Sequence, residues 1–190
     1  MLMKIRSTPL FAACCVALAG LSTSYAASAA STMPAFSQDS VPEQIRVPAG
    51  NQIAWETVGT GEITYECRVK ADAPEGAAWA FAGPVAVLAD RAGQQVGKYW
   101  GPPATWEALD GSKLTGKELA TAPAGTGNLP FQLVQANPVE GKGALEGVTY
   151  IQRVALKGGV APSGVPCTSD RIGSKEKVPY QADYIFWKAY

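Results

Sequence analysis

Past its first thirty residues, this chain has no window of a dozen residues that repeats apolar side chains at the 3.6-residue period of a helix. Short runs of β-branched and aromatic residues alternate instead with Gly, Pro and Asp turn signals. Ile63, Tyr65, Cys67 and Val69 share one face of a candidate strand, with Thr64, Glu66, Arg68 and Lys70 on the other. Ile53, Trp55 and Thr57 share a face of the strand before it. Pro84 to Asp90 is almost entirely apolar, as expected of a strand buried on both faces. A turn at Asp90–Gly93 then leads into a returning strand from Gln94 to Trp100. Asp110-Gly111 between Thr105–Leu109 and Ser112–Thr115 is the strongest hairpin signal. Later strands are expected over Leu129–Ala136, Gly147–Leu156 and Val178–Trp187. In the last, Tyr180, Ala182, Tyr184 and Phe186 fall on one face, and Gln181, Asp183, Ile185 and Trp187 on the other. Leu145-Glu146 and Lys117–Ala120 are expected to form no more than single helical turns. The reading is an all-β, single-domain antiparallel sandwich or barrel of about nine or ten short strands with little helix.

The first thirty residues read as an address. Lys4 and Arg6 precede a twelve-residue apolar run, Leu10 to Leu21, followed by small-x-small sites ending at Ala26 and Ala29. That pattern is a secretory signal peptide over residues 1–26, and its apolar run is short of the roughly 20 residues that span a bilayer. A lipid anchor through Cys14 or Cys15 fits less well, because the residues ahead of Cys14 are Phe11-Ala12-Ala13. Residues 27–40, mostly Ala, Ser, Thr, Pro, Gln and Asp, read as a flexible leader, and 41–190 as the β domain. The expected location is secreted or periplasmic, with no membrane span. Of 16 basic and 16 acidic residues, cleavage after Ala26 removes Lys4 and Arg6 and no acid, leaving a net charge of −2. Such a balance gives no electrostatic footprint for nucleic acid. Cleavage also leaves Cys67 and Cys167 as a single pair in an oxidising compartment. A disulfide is expected between them, the alternative being two buried thiols.

The chemistry open to the chain is narrow. It has no histidine, which excludes Ser-His-Asp and Cys-His constellations and imidazole zinc sites. It lacks a Gly-x-Ser-x-Gly elbow, and its Gly-Gly and Gly-x-Gly stretches lack the strand–loop–helix setting of a phosphate loop. No metal site and no cofactor is expected. The densest chemistry lies between Tyr99 and Lys113, with two tryptophans, a tyrosine and two carboxylates. Tyr99, Trp100, Trp106 and Glu107 are therefore the candidate ligand-binding residues. An exposed ring there would stack on a sugar or another planar ligand; a buried one would anchor the core. Alternation from the Asp-Gly turn puts Trp106 with Ala108 on one face and Thr105, Glu107 and Leu109 on the other. The expectation is Trp106 buried and Trp100 at least partly exposed, since Gly101-Pro102-Pro103 must end the ladder after it. Glu107 and Asp110 raise a glycosidase reading, but Asp110 is better explained as the first residue of the turn. Residues 63–69 and 148–154 match at Thr, Tyr, Arg and Val, which is either a trace of duplication or a coincidence between two β-rich segments.

Five stretches together resemble a secreted family catalogued as domain of unknown function 3455. They are Tyr65-x-Cys67; Trp79-x-Phe81 with Pro84; Gly101-Pro102 with Thr105-Trp106-Glu107 and Asp110-Gly111-Ser112; Tyr150-Ile151-Gln152-Arg153 with Gly158-Gly159 and Pro162; and Val178-Pro179-Tyr180-x-Ala182-Asp183-Tyr184-x-Phe186. The resemblance covers roughly residues 41–187. It implies a secreted β-rich domain and a cysteine pair that fits a structural bridge, and it supplies no catalytic residue.

Three functions remain open at this stage. The leading one is a non-catalytic module that binds a carbohydrate or another cell-surface ligand. The others are a small hydrolase using Glu107 and a second carboxylate, and an extracellular structural or interaction module.

Overall fold

A computed structural model describes residues 36–190. The expected signal peptide and residues 27–35 of the expected leader lie outside the described residues. The fold is all-β: eight antiparallel strands close into one barrel in chain order. They are β1 (Asn51–Val69), β2 (Ala77–Ala89), β3 (Gln95–Trp100), β4 (Thr105–Ala108), β5 (Lys113–Ala122), β6 (Phe131–Ala136), β7 (Val148–Gly158) and β8 (Lys175–Ala189). Barrel rather than sandwich is decided by β8, which pairs with both β7 and β1. One end of the barrel gathers the connections 70–76, 101–104, 123–130 and 159–174; the other gathers 90–94, 109–112 and 137–147.

The count is eight rather than nine or ten because the first two expected strands are one. β1 runs for 19 residues, pairing with β8 from Asn51 to Glu66 and with β2 from Val58 to Val69. A strand that long must bend to follow a barrel wall, and register shifts between Ile53 and Trp55 and between Thr64 and Tyr65 supply the bends. The first shift also corrects the expected shared face of Ile53 and Trp55. Ile53 packs outside the barrel beneath the N-terminal segment, while Trp55 packs on Phe186 with ring centroids 5.0 Å apart. The segment Lys117–Ala120 lies within β5 and makes no helical turn.

The barrel interior is filled. Ile63, Leu88, Tyr99, Trp106, Leu114, Ile151, Tyr184 and Phe186 are all buried in one cluster, each on the inward parity of its strand. Gly59 makes room for the largest of these contacts: a Cβ there would lie 2.6 Å from the ring of Tyr184. Charge sits on the outside. Arg91 bridges Glu56 and Asp183 at 2.8 and 2.6 Å, and Lys177 pairs with Glu62 at 2.9 Å. Apolar filling inside and ion pairs outside reverse the arrangement of a membrane-spanning barrel. No helix among the described residues is long and apolar enough to cross a membrane.

β2 is half-buried rather than buried on both faces. Ala86 and Leu88 point inward, while Val85 is 68% and Val87 47% exposed, because no second layer covers the wall there. A second layer does cover β6, β7 and β8. Residues 36–47 cross their outer face through short 3-10 turns at Gln38–Ser40 and Glu43–Ile45. Val41, Ile45 and Val47 pack on Leu133, Val154, Ile185 and Trp187. Burying each of those three contributes roughly 1.5–3 kcal/mol of transfer free energy. Polar bonds fix the register: the Gln152 side chain donates to the carbonyl of Ile45 at 2.7 Å and accepts from the Trp187 indole at 2.8 Å. Residues 36–40, read from sequence as part of a flexible leader, belong to this layer, with Phe36 edge-on to Trp187. The two matching segments face opposite ways. Tyr65 packs inside and Tyr150 outside, so the likeness of residues 63–69 to 148–154 is no structural repeat.

The expected disulfide is present. Cys67, near the end of β1, is bonded to Cys167 in the β7–β8 connection, 100 residues away, with Cα atoms 5.4 Å apart. Ala77 and Trp79 cover it, and the Trp79 indole donates to the carbonyl of Val165 at 2.8 Å.

Candidate functional site

The stretch singled out by sequence forms β3, β4 and the hairpin into β5. Pairing sets Tyr99 opposite Trp106, Trp100 opposite Thr105, and Lys98 opposite Glu107. Alternation then divides the four candidates between two faces. Tyr99 and Trp106 point into the barrel, stacked with centroids 4.9 Å apart, and Tyr184 lies 5.0 and 5.9 Å from them. Trp106 is 1% exposed. Burial pushes the phenols of Tyr99, Tyr180 and Tyr184 up, so all three are neutral across the physiological range. Trp100 and Glu107 point outward. Trp100 is partly exposed, opposite Val85 on β2, and the Lys98 ammonium lies 5.1 Å from its ring centroid. Lys98 also pairs with Glu107 at 3.1 Å. The structure thus brings Trp100, Glu107 and Lys98 together on one surface and removes Tyr99 and Trp106 from it. Trp106 buried and Trp100 partly exposed is the division expected from the hairpin register.

Asp110 has a different task. Its Oδ1 accepts the Ser112 backbone N–H at 2.9 Å and the Ser112 hydroxyl at 2.6 Å, and its Oδ2 accepts the Ala144 N–H at 2.7 Å. Ser112 Oγ in turn accepts the N–H of buried Leu145 at 3.3 Å. The Asp-Gly-Ser turn therefore clamps the long β6–β7 connection to the hairpin. Gly143 passes close enough that a Cβ would collide with the Asp110 carboxyl. These bonds, the Ser112 hydroxyl first, hold the Asp110 carboxyl below its ordinary 3.8. A depressed carboxylate stabilises above its unfolded value and stops doing so as pH falls through its folded value. Acid is therefore expected to release the clamp only below pH 3.8, with the protection of the Ala144 and Ser112 amides, taken relative to their intrinsic exchange rates, falling together; Asp110→Ala should show that lost protection already at neutral pH. Protection retained in the variant at neutral pH would show that the connection is held by something else.

One functional group was missed by sequence reading. Arg153 lies on β7 between Gln152 and Val154, which both face the N-terminal segment, so its side chain is on the inner face with Ile151. The signal was the alternation Ile151–Arg153, a charge at an apolar-face position. Among the described residues no group of three or more His, Cys, Asp or Glu side chains is placed to hold a metal ion.

Several shallow concavities mark the outside of the barrel. One of about 470 Å³ sits at the β6–β7 end, against Asn51, Gln135, Asn137 and Thr149. Neither it nor the smaller hollow of about 240 Å³ beside Phe36 contains Trp100 or Arg153.

No curated protein matches the chain, and no solved structure matches it. The model of a family described as protein of unknown function, DUF3455, matches residues 48–188, from just before β1 to the end of β8, and the chain belongs to that family.

Proposed function

We propose that the protein is a non-catalytic binding domain of an oxidising compartment, secreted or periplasmic, which holds a surface polysaccharide against the outer wall of β2–β4. The observation that carries this reading is the partly exposed indole of Trp100 beside the exposed side chains of Val85 and Val87. An aromatic face takes the C–H face of a sugar ring, and Lys98 and Glu107 beside it offer partners for ring hydroxyls. The compartment is supported by the Cys67–Cys167 bridge, since such bonds persist where the surroundings are oxidising. Hydrolysis is the weaker reading because its two carboxylates are otherwise engaged, Glu107 with Lys98 and Asp110 with the hairpin clamp.

The test is retention of the protein on a panel of immobilised polysaccharides, with product analysis of the eluate. One class is expected to retain it, and Trp100→Ala is expected to weaken that retention about tenfold, or roughly 1.4 kcal/mol. No retention on any polymer, or retention that survives the substitution, overturns the proposal; released sugar would favour the hydrolase.

A further inference from the structure

Arg153 carries a permanent charge into an aromatic interior. Its cross-strand neighbours are Gln132 on β6 and Tyr184 on β8. Its Nη2 donates to the carbonyl of Pro130 at 2.9 Å, which draws the guanidinium toward the barrel end formed by the 123–130 and 159–174 connections. Tyr65 reaches the same end, donating its hydroxyl to the carbonyl of Gly159 at 2.8 Å. The side chain is neither fully buried nor free in solvent, while its Nε is buried and has no partner among the described residues.

Among the described residues no carboxylate pairs with it. The acid nearest this row, Glu118, accepts from the Gln132 side-chain amide instead. An arginine cannot shed its proton to relieve the cost of an unpaired position. Its four other N–H donors are a rigid fork that suits an oxyanion, and the strongest partner for such a fork is a carboxylate held by two parallel bonds. A single guanidinium matches a monoanion better than a phosphate dianion. Tyr180 and Tyr184, whose hydroxyls lie 3.3 Å apart, and Tyr65 supply a neutral aromatic wall. The positive charge of Arg153 works against the rise that burial imposes on the phenols of Tyr65, Tyr99, Tyr180 and Tyr184.

We infer that Arg153 is the anchor of a second binding site, at the end of the barrel, for the carboxylate group of a small apolar acid. It is independent of the polysaccharide reading, because it uses the inner face of β7 and none of the residues around Trp100.

The Nε–H resonance of Arg153 in the nitrogen-15-labelled protein is the direct readout. Sodium benzoate is the probe, benzamide its neutral isostere and inorganic phosphate the competing oxyanion. Benzoate is expected to shift the resonance saturably, benzamide to leave it in place, and phosphate to act at least tenfold more weakly. Arg153→Met is expected to lose benzoate affinity by at least tenfold. Arg153→Lys, which keeps the charge and loses the fork, should fall between. An unmoved resonance, an equal response to benzamide or a preference for phosphate overturns the inference. So does undiminished benzoate binding by Arg153→Met; should that variant fail to fold, the three titrations of the unaltered protein decide alone.

Discussion

Trp106→Ala is expected to destabilise the protein by about 3–5 kcal/mol, the usual range for emptying a fully buried large aromatic site. Trp106 sits at the middle of the barrel filling, against Tyr99 and Tyr184, where a closed wall of backbone hydrogen bonds cannot collapse inward to fill a void. Trp100→Ala, on the outer face of the same hairpin, should cost less than about 1 kcal/mol, the scale of a cross-strand contact on a solvated face. Guanidinium melts of the two variants measure the difference. Equal losses above 3 kcal/mol would make Trp100 a packing residue and remove the reason for placing a ligand on it. A small loss for Trp106 would mean that the interior is looser than its packing indicates.

The second large effect concerns the cross-link. Replacing Cys67 and Cys167 together by Ser is expected to cost about 2–5 kcal/mol, since the bridge closes a loop of 100 residues that the unfolded chain would otherwise explore. The loss should be concentrated in the 159–174 connection, which reaches the barrel through this bond and through the backbone pairing of Cys67 with Gly173 and Ser174. Chain from which residues 1–26 have been removed should show no thiol when denatured without reductant and two after reduction. Two thiols before reduction, or a loss under about 1 kcal/mol on substitution, would defeat the account.

What sequence could and could not convey follows from the range of each interaction. Period-two alternation is local, and it read Tyr180 to Trp187 correctly on both faces, because β8 is regular there. The Asp-Gly hairpin is equally local, and from it came the opposite fates of Trp100 and Trp106. Closure is not local: it rests on β8 meeting β1 across more than 100 residues of chain, and no single segment reports it. Bulges also escape, since a one-residue shift within β1 inverts the faces on either side while leaving the composition untouched. Val85 and Val87 were misread for a related reason. A valine facing water and a valine facing a second layer look alike in sequence, and only the path of residues 36–47, over β6 to β8 and away from β2, distinguishes them. Arg153 was passed over, because the absence of a partner is a property of the assembled wall.

The closed ring of strands also limits how anything can attach. Open sheets offer rows of unpaired amides and carbonyls, to which a peptide or a second copy can add a strand. Here β1 is zipped to β8 on one side and β2 on the other, and every other strand has a partner on each flank over part of its length, with one-sided stretches such as the start of β2 and the end of β5. Where both flanks are paired, recognition must run through side chains, and strand addition is confined to the short one-sided stretches toward the strand ends. Outward valines such as Val85 are tolerable on such a wall for the same reason: they are adhesive, but they sit on a stretch paired on both flanks.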